Sequence, residues 1–227
     1  MSEEKILDGK NVENTENPEI SSVTSTNVLS ISDIDLDAIK ETANIGTGNA
    51  ATALSNLFKK RVNISLPDLK VMPLAEAAKS ITGPKEMVVG IYSKIKEGMD
   101  GNILLMVPIS VALSMTNTFL PNASSNNKID ENEKALLQKI GAATYISYLT
   151  SLAKFFKSKI TFDPPNVIST FGESIFDFMV ANVNADEEVM TIKLGFDIEN
   201  TDIQGDFLLL FTIKSLKPLL SNIKSLE

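Results

Sequence analysis

The sequence predicts an α+β fold in which two copies of a helix–strand–hairpin unit form one pseudo-twofold domain. Three observations predict it. Helical and strand periodicities alternate along the chain instead of segregating into separate regions. The order of elements before Pro121 returns after Lys128. A shift of 98 residues lays Leu54 on Leu152, Phe58 on Phe156, Lys59 on Lys157, Arg61 on Lys159, Val62 on Ile160 and Pro67 on Pro165. A shift of 104 lays Gly101-Asn102-Ile103-Leu104-Leu105 on Gly205-Asp206-Phe207-Leu208-Leu209. Each unit has one apolar sheet face to cover, so the two are expected to share a core. The 227 residues allow one large domain or two small ones, and an apolar content of 43% supports a sizeable core.

Residues 1–30 stand apart from this pattern. They hold six acidic residues against two lysines, half of the chain's net charge of -8, and are rich in Asn, Thr and Ser. They read as a disordered, solvated acidic leader, with one aliphatic pair, Ile6-Leu7, set among acidic residues that a partner could fold into a brief helix. The folded domain is expected over residues 31–227, with repeats at about 31–120 and 129–227. Ser32-x-x-Asp35 resembles a capping box and opens a helix to about Phe58. Arg61–Val71 alternates and is β-branched, a strand broken or edged at Pro67. Leu74–Ile81 reads as a short helix, Met87–Lys96 and Gly101–Val107 as a hairpin, and Ile109–Phe119 as a helix. Pro121–Lys128 is a polar linker. Glu131–Lys157 is a long helix, Lys159–Ile168 a strand ending near Pro164-Pro165, and Phe171–Phe178 a short helix. Val189–Ile198 and Asp206–Ile213 form the second hairpin, and Ser215–Leu226 the last helix.

Absences narrow the chemistry. With no histidine, cysteine or tryptophan, the chain has no Ser-His-Asp or Cys-His nucleophile system, no Cys/His zinc site and no disulfide. Catalysis would rest on carboxylates, amides, hydroxyls, lysines or a borrowed metal. The acidic balance and a single arginine, Arg61, speak against nucleic acid and anionic membrane as partners. No apolar run approaches the roughly 20 residues that span a bilayer, so no membrane insertion is expected. The acidic Met1-Ser2-Glu3-Glu4 start lacks a signal-peptide apolar region, and a cytoplasmic location is expected.

Chemistry concentrates in the first long helix. At about 100° per residue, Asp37, Glu41, Asn44 and Gly48 fall within roughly 60° of one another. Leu36, Ile39, Ala43, Gly46 and Ala50 gather on the other side and are expected to face the core. Two glycines within a helix cost roughly 1 kcal/mol each relative to alanine. Gly46 is placed to allow close packing, and Gly48 to let a partner approach. Other readings fit less well. Gly46-x-Gly48-x-x-Ala51 matches a dinucleotide fingerprint but lies inside a helix instead of opening one. Asp33, Asp35 and Asp37 start like a calcium loop, yet Ala38 and Asn44 stand where glycine and glutamate are needed. An acid–base pair of Asp37 and Glu41 lacks the unequal environments such pairs need. A merely solvated helix face is the plain alternative.

Asp37-x-x-x-Glu41-x-x-Asn44, followed after 22 residues by Pro67, resembles the signature of the CheC/CheX/FliY family of chemotaxis phosphatases. The run NIGTGNAATALS is similar to the corresponding CheC helix, and the likeness spans about residues 31–213. The resemblance implies a single CheC-like domain and a phosphorylated CheY-type response regulator as substrate. It implies that Glu41 pairs with the regulator's lysine beside the phosphoaspartate and that Asn44 holds a water in line with phosphorus. Asp37 and Gly48 are expected to support docking. No cofactor of its own is implied; Mg²⁺ is expected on the regulator. FliY itself is less expected, since the chain ends at Glu227 without its extra domain. At the 98-residue shift Asp37, Glu41 and Asn44 become Ala135, Lys139 and Ala142, so one active site is expected. Family likeness also makes the receptor deamidase CheD a possible partner, and a non-enzymatic adaptor for phosphorylated CheY or CheD is the alternative function. A structural switch component like the FliM middle domain is a weaker third.

Overall fold

The computed structural model describes residues 31–80, 85–120, 128–180 and 187–224. The leader, residues 1–30, and most of the Pro121–Lys128 linker lie outside the described residues.

Two long helices carry strong local start signals. The first, α1 (Asp33–Phe58), is capped by Ser32, whose hydroxyl accepts the Asp35 N–H at 3.3 Å. The other, α4 (Glu131–Phe155), has a full capping box. The Asp130 carboxylate accepts the Glu133 N–H at 2.8 Å, and the Glu133 carboxylate accepts the Asp130 N–H at 2.7 Å. Both helices are followed by a lysine in the left-handed region, Lys59 at φ 55° and Lys157 at φ 47°, which sit 98 residues apart.

Between and after them come β1 (Val62–Ile64), β2 (Asp68–Pro73), α2 (Leu74–Ser80), β3 (Met87–Glu97), β4 (Gly101–Pro108) and α3 (Ile109–Asn117). After α4 follow β5 (Thr161–Phe162), β6 (Asn166–Phe171), a 3-10 turn (Gly172–Ser174), α5 (Ile175–Val180), β7 (Glu188–Ile198), β8 (Gln204–Thr212) and α6 (Ile213–Lys224). The strands make one antiparallel sheet in the order β1-β7-β8-β4-β3-β5, with β2 also on β7 and β6 also on β3. Exchanging the first four strands for the last four returns the same pairing, with β4 against β8 at the centre.

Proline shapes both sheet edges. A residue without an N–H interrupts a ladder, so each edge is written in two pieces. On one edge β1 and β2 are split around Pro67, as expected; the Ser65 N–H donates to the Gly195 carbonyl and the Ser65 hydroxyl accepts the Gly195 N–H, both at 2.8 Å. On the other, the strand expected to end near Pro164-Pro165 instead resumes as β6 and runs to Phe171, paired residue for residue with β3 from Tyr92 to Met87. The expected helix from Phe171 therefore starts later, at the Gly172 turn. The missed continuation has a simple cause. Asp163 bridges the break, its N–H donating to the Lys94 carbonyl at 2.9 Å while its carbonyl accepts the Ser93 hydroxyl at 2.5 Å. The hairpin turn before β4 uses Gly98 at φ 90°, where a side chain would also strike the Lys159 carbonyl.

Alternating side chains of the central strands feed two cores. Ile103, Leu105 and Val107 of β4, with Phe207, Leu209 and Phe211 of β8, join the core under α1, α3, α4 and α6. Leu104 and Met106, with Leu208 and Leu210, join a smaller core under α2 and α5. Burial on both faces explains why these strands read as unbroken apolar runs. Tyr145 of α4 threads into the sheet: its hydroxyl donates to the Ile91 carbonyl and accepts the Leu105 N–H. Tyr148 is equally buried, but among the described residues its hydroxyl has no hydrogen-bond partner. Burial pushes both phenols far above the ordinary range.

Candidate functional site

Helix α1 lies on the sheet with Ile39, Ala43, Gly46, Ala50, Leu54 and Phe58 buried. That leaves Asp37, Glu41, Asn44 and Gly48 exposed in one stripe, the arrangement that helical spacing predicts. Leu36, expected on the core side, is half-buried at its edge.

Close contact with α4 fixes the height and rotation of this helix. A Cβ built on Gly46 would stand 3.1 Å from the Tyr148 ring, so glycine lets the two helices approach. The Asn49 side-chain amide donates to the Ser151 hydroxyl at 2.7 Å, a polar tie one turn beyond Asn44. Thr42, Thr47 and Thr52 turn their hydroxyls back onto the carbonyls of Ala38, Ala43 and Gly48. The stripe is therefore a rigid, presented surface.

Its functional groups are available. Asp37 meets Lys40 one turn on at 3.5 Å in an exposed pair, the kind that holds a carboxylate only loosely. Among the described residues neither Glu41 nor Asn44 has a side-chain partner. Nothing lies within 4 Å of a Cβ placed on Gly48. None of the four lines the hollow of about 600 Å³ near β1, β7 and β8, whose walls include Asn63, Ser65, Phe196, Asp197 and Asp206. The stripe is a convex polar face, suited to entering a partner's cleft. Among the described residues no group of three or more acidic side chains is placed to hold a metal ion.

One residue of this surface escaped the sequence reading. Ile45 is 55% exposed beside Asn44 and adds an aliphatic side chain to the border of the polar stripe. Its signal was present: it follows Glu41 by four residues and precedes Gly48 by three, so it flanks the stripe.

The corresponding surface of α4 differs in chemistry. Ala135 and Lys139 are exposed, Ala142 is half-buried, and Ile146 is 56% exposed where the 98-residue shift matches Gly48. It offers no carboxylate and no side-chain amide at these positions.

The family model of the CheC-like family matches residues 34–71, the span from the start of α1 through most of β2. The flagellar motor switch phosphatase FliY of Bacillus subtilis is 26% identical over 202 residues, covering 87% of this chain and 51% of FliY; the chain spans about half the length of that relative. The CheY-P phosphatase CheC of the same organism is 22% identical over 161 residues, covering 69% of this chain and 77% of CheC. Among solved structures, FliY of Thermotoga maritima superposes with a TM-score of 0.68 at 17% identity, covering 87% of this chain and 99% of that one. The FliM middle domain of H. pylori gives 0.59 at 17% identity, with 84% and 99% covered. CheX in its complex with CheY, BeF3 and Mg from Borrelia burgdorferi gives 0.50 at 14% identity, with 74% and 96% covered. Among the described residues no helix is long and apolar enough to cross a membrane. The stripe on α1, the antiparallel fold and these matches agree in their likeness: the chain is similar to the CheC-like family and to the FliY and CheC phosphatases.

Proposed function

We propose that this chain is a phosphatase acting on the aspartyl phosphate of a CheY-type response regulator, with a single active site on α1. The observation that carries the reading is the exposed stripe of Glu41 and Asn44, unpartnered among the described residues and bordered by the open surface at Gly48. Relatives named as CheY-P phosphatases, and a fold neighbour crystallised with CheY, support the substrate class.

The chemistry asks little of the protein. An acyl phosphate is already activated, and catalysis of phosphoryl transfer is largely positioning and charge stabilisation. The Asn44 side-chain carbonyl accepts a hydrogen bond from one water and aims its lone pair at phosphorus. Water oxygen bonds to phosphorus as the bond from phosphorus to the aspartate oxygen breaks. Inorganic phosphate leaves, and the regulator's carboxylate is restored. Glu41 supplies a negative charge for a lysine of the regulator, which sets the depth and angle of docking. Mg²⁺ belongs to the regulator in this scheme and neutralises the phosphoryl oxygens. Asp37 assists docking from one turn away.

A non-enzymatic adaptor for phosphorylated CheY or for CheD is the second reading, favoured by the fold shared with the FliM middle domain and by Lys139 and Ala142 standing on α4 where α1 has Glu41 and Asn44. One measurement separates the two. The decay of phosphorylated CheY in Mg²⁺ is followed with and without this protein, alongside binding. Faster decay at substoichiometric protein is expected. Tight binding with unchanged decay would establish the adaptor.

A further inference from the structure

We propose that the groove between α4 and β5 is the docking site for this chain's own acidic N-terminal segment, Ser2–Asp8, which seats Ile6 and Leu7 there. The groove, of about 370 Å³, is floored by Leu149, Ile160 and Phe162 and rimmed by Ile146, Lys154 and Lys157. At the small end of the roughly 300–1,000 Å³ typical of ligand pockets, it suits two aliphatic side chains better than a bulky ligand. None of its lining residues is acidic. Ile146 is 56% exposed at its mouth. Among the described residues neither Lys154 nor Lys157 has an ion-pair partner.

The segment has the complementary chemistry. Ile6-Leu7 lies between Lys5 and Asp8, with Glu3 and Glu4 before them, so the segment carries three carboxylates against one lysine, whereas the other aliphatic pair of the leader, Val28-Leu29, stands in an uncharged stretch. Two apolar side chains between carboxylates match an apolar floor between two lysines. The start of α1 is the wrong surface for it, because Asp33, Asp37 and Glu41 repel the same segment. Residues 8–31 form a link of 24 residues, and a random coil of that length reaches on the order of 30 Å. Joining a segment to its site within one chain gives an effective concentration of roughly millimolar, so a contact too weak to persist between separate molecules is populated within one.

The chain's lack of cysteine makes a direct test possible. A nitroxide is attached to the full chain through Ser2→Cys, and the isoleucine methyl signals are compared with the label oxidised and reduced. Ile146 and Ile160 are expected to lose intensity while Ile45 keeps it. Lys154→Glu with Lys157→Glu, at two exposed positions, should restore the lost intensity, and so should Ile6→Glu with Leu7→Glu. Loss centred on Ile45, no loss anywhere, or loss unaffected by both variants would overturn the proposal. Loss that disappears on dilution would assign the groove to the leader of a second copy and would overturn docking within one chain.

Discussion

Gly48→Ile separates a docking face from a merely solvated one. Position 48 is exposed in the middle of α1, and a Cβ there meets nothing within 4 Å. The substitution therefore relieves glycine's helix penalty of about 1 kcal/mol, of which isoleucine recovers roughly half. Stability should rise by about 0.5 kcal/mol, a shift in Tm of roughly 1–2 °C for a domain of this size. Docking should suffer in the opposite sense. Gly48 lies one turn past Asn44, about 6 Å along the helix axis. A four-carbon side chain there separates the stripe from a fitted partner, and overpacking of that kind costs about 1–3 kcal/mol. At 1.4 kcal/mol per factor of ten, KM for phosphorylated CheY should rise about ten-fold or more while kcat changes little. Steady-state release of phosphate and urea unfolding, measured on the same preparation, read both effects. A variant that is more stable and has unaltered kcat/KM would show that the partner does not approach over Gly48. A destabilised variant would show that the position is not open.

Four further outcomes are expected. Asn44→Ala should leave folding intact and lower kcat for phosphorylated CheY on the order of 100-fold, about 2.7 kcal/mol of barrier, read from phosphate release. Glu41→Lys should weaken binding of the phosphorylated regulator, with the deficit eased by salt, as titration at two ionic strengths would show. In the Asn44→Ala background, Lys139→Glu alone should restore no turnover, since Ala142 cannot orient water; residual activity that falls on Lys139→Ala would refute a single site. Tyr148→Phe should stabilise the fold by about 1 kcal/mol, because it removes a buried hydroxyl that makes no hydrogen bond among the described residues, and denaturant melts would record the gain.

Much of this molecule was legible because its strongest signals are local. Ser32 sets the start of α1, and Pro67 marks a real break in its edge strand. The stripe of Asp37, Glu41, Asn44 and Gly48 follows from helical spacing once the buried side is known. The features that were not legible depend on partners distant in sequence. Beyond Pro165, Val167, Ile168, Thr170 and Phe171 favour a strand, but that β6 runs on to Phe171 follows from the ladder that β3 offers it from Tyr92 to Met87. That Gly46 is filled from outside by the Tyr148 ring, and that Asn49 is tied to Ser151, requires knowing how α1 and α4 lie together. Ile45 was passed over for a related reason. Taken singly, an isoleucine in a helix reads as core, although its spacing from Glu41 and Gly48 puts it beside the stripe, where it is exposed.

That Lys139 and Ala142 of α4 stand where α1 has Glu41 and Asn44 does not make the second half expendable to the first. The ring that limits how close α1 can lie belongs to Tyr148, and the hydroxyl that holds Asn49 belongs to Ser151, both on α4. The strands divide in the same way: β1 and β2 are paired to β7, and β5 and β6 to β3, so each half completes the other half's sheet edge. An isolated first half would expose both edges and the apolar side of α1, so no stable half-domain is expected from it. Water positioning by a neutral amide depends on where that amide is held, with no compensating charge to forgive an error of an ångström. On the proposed mechanism, the exposed positions of α4 are free to carry Lys139 and Ala142, while its buried face is held to the packing that places Asn44.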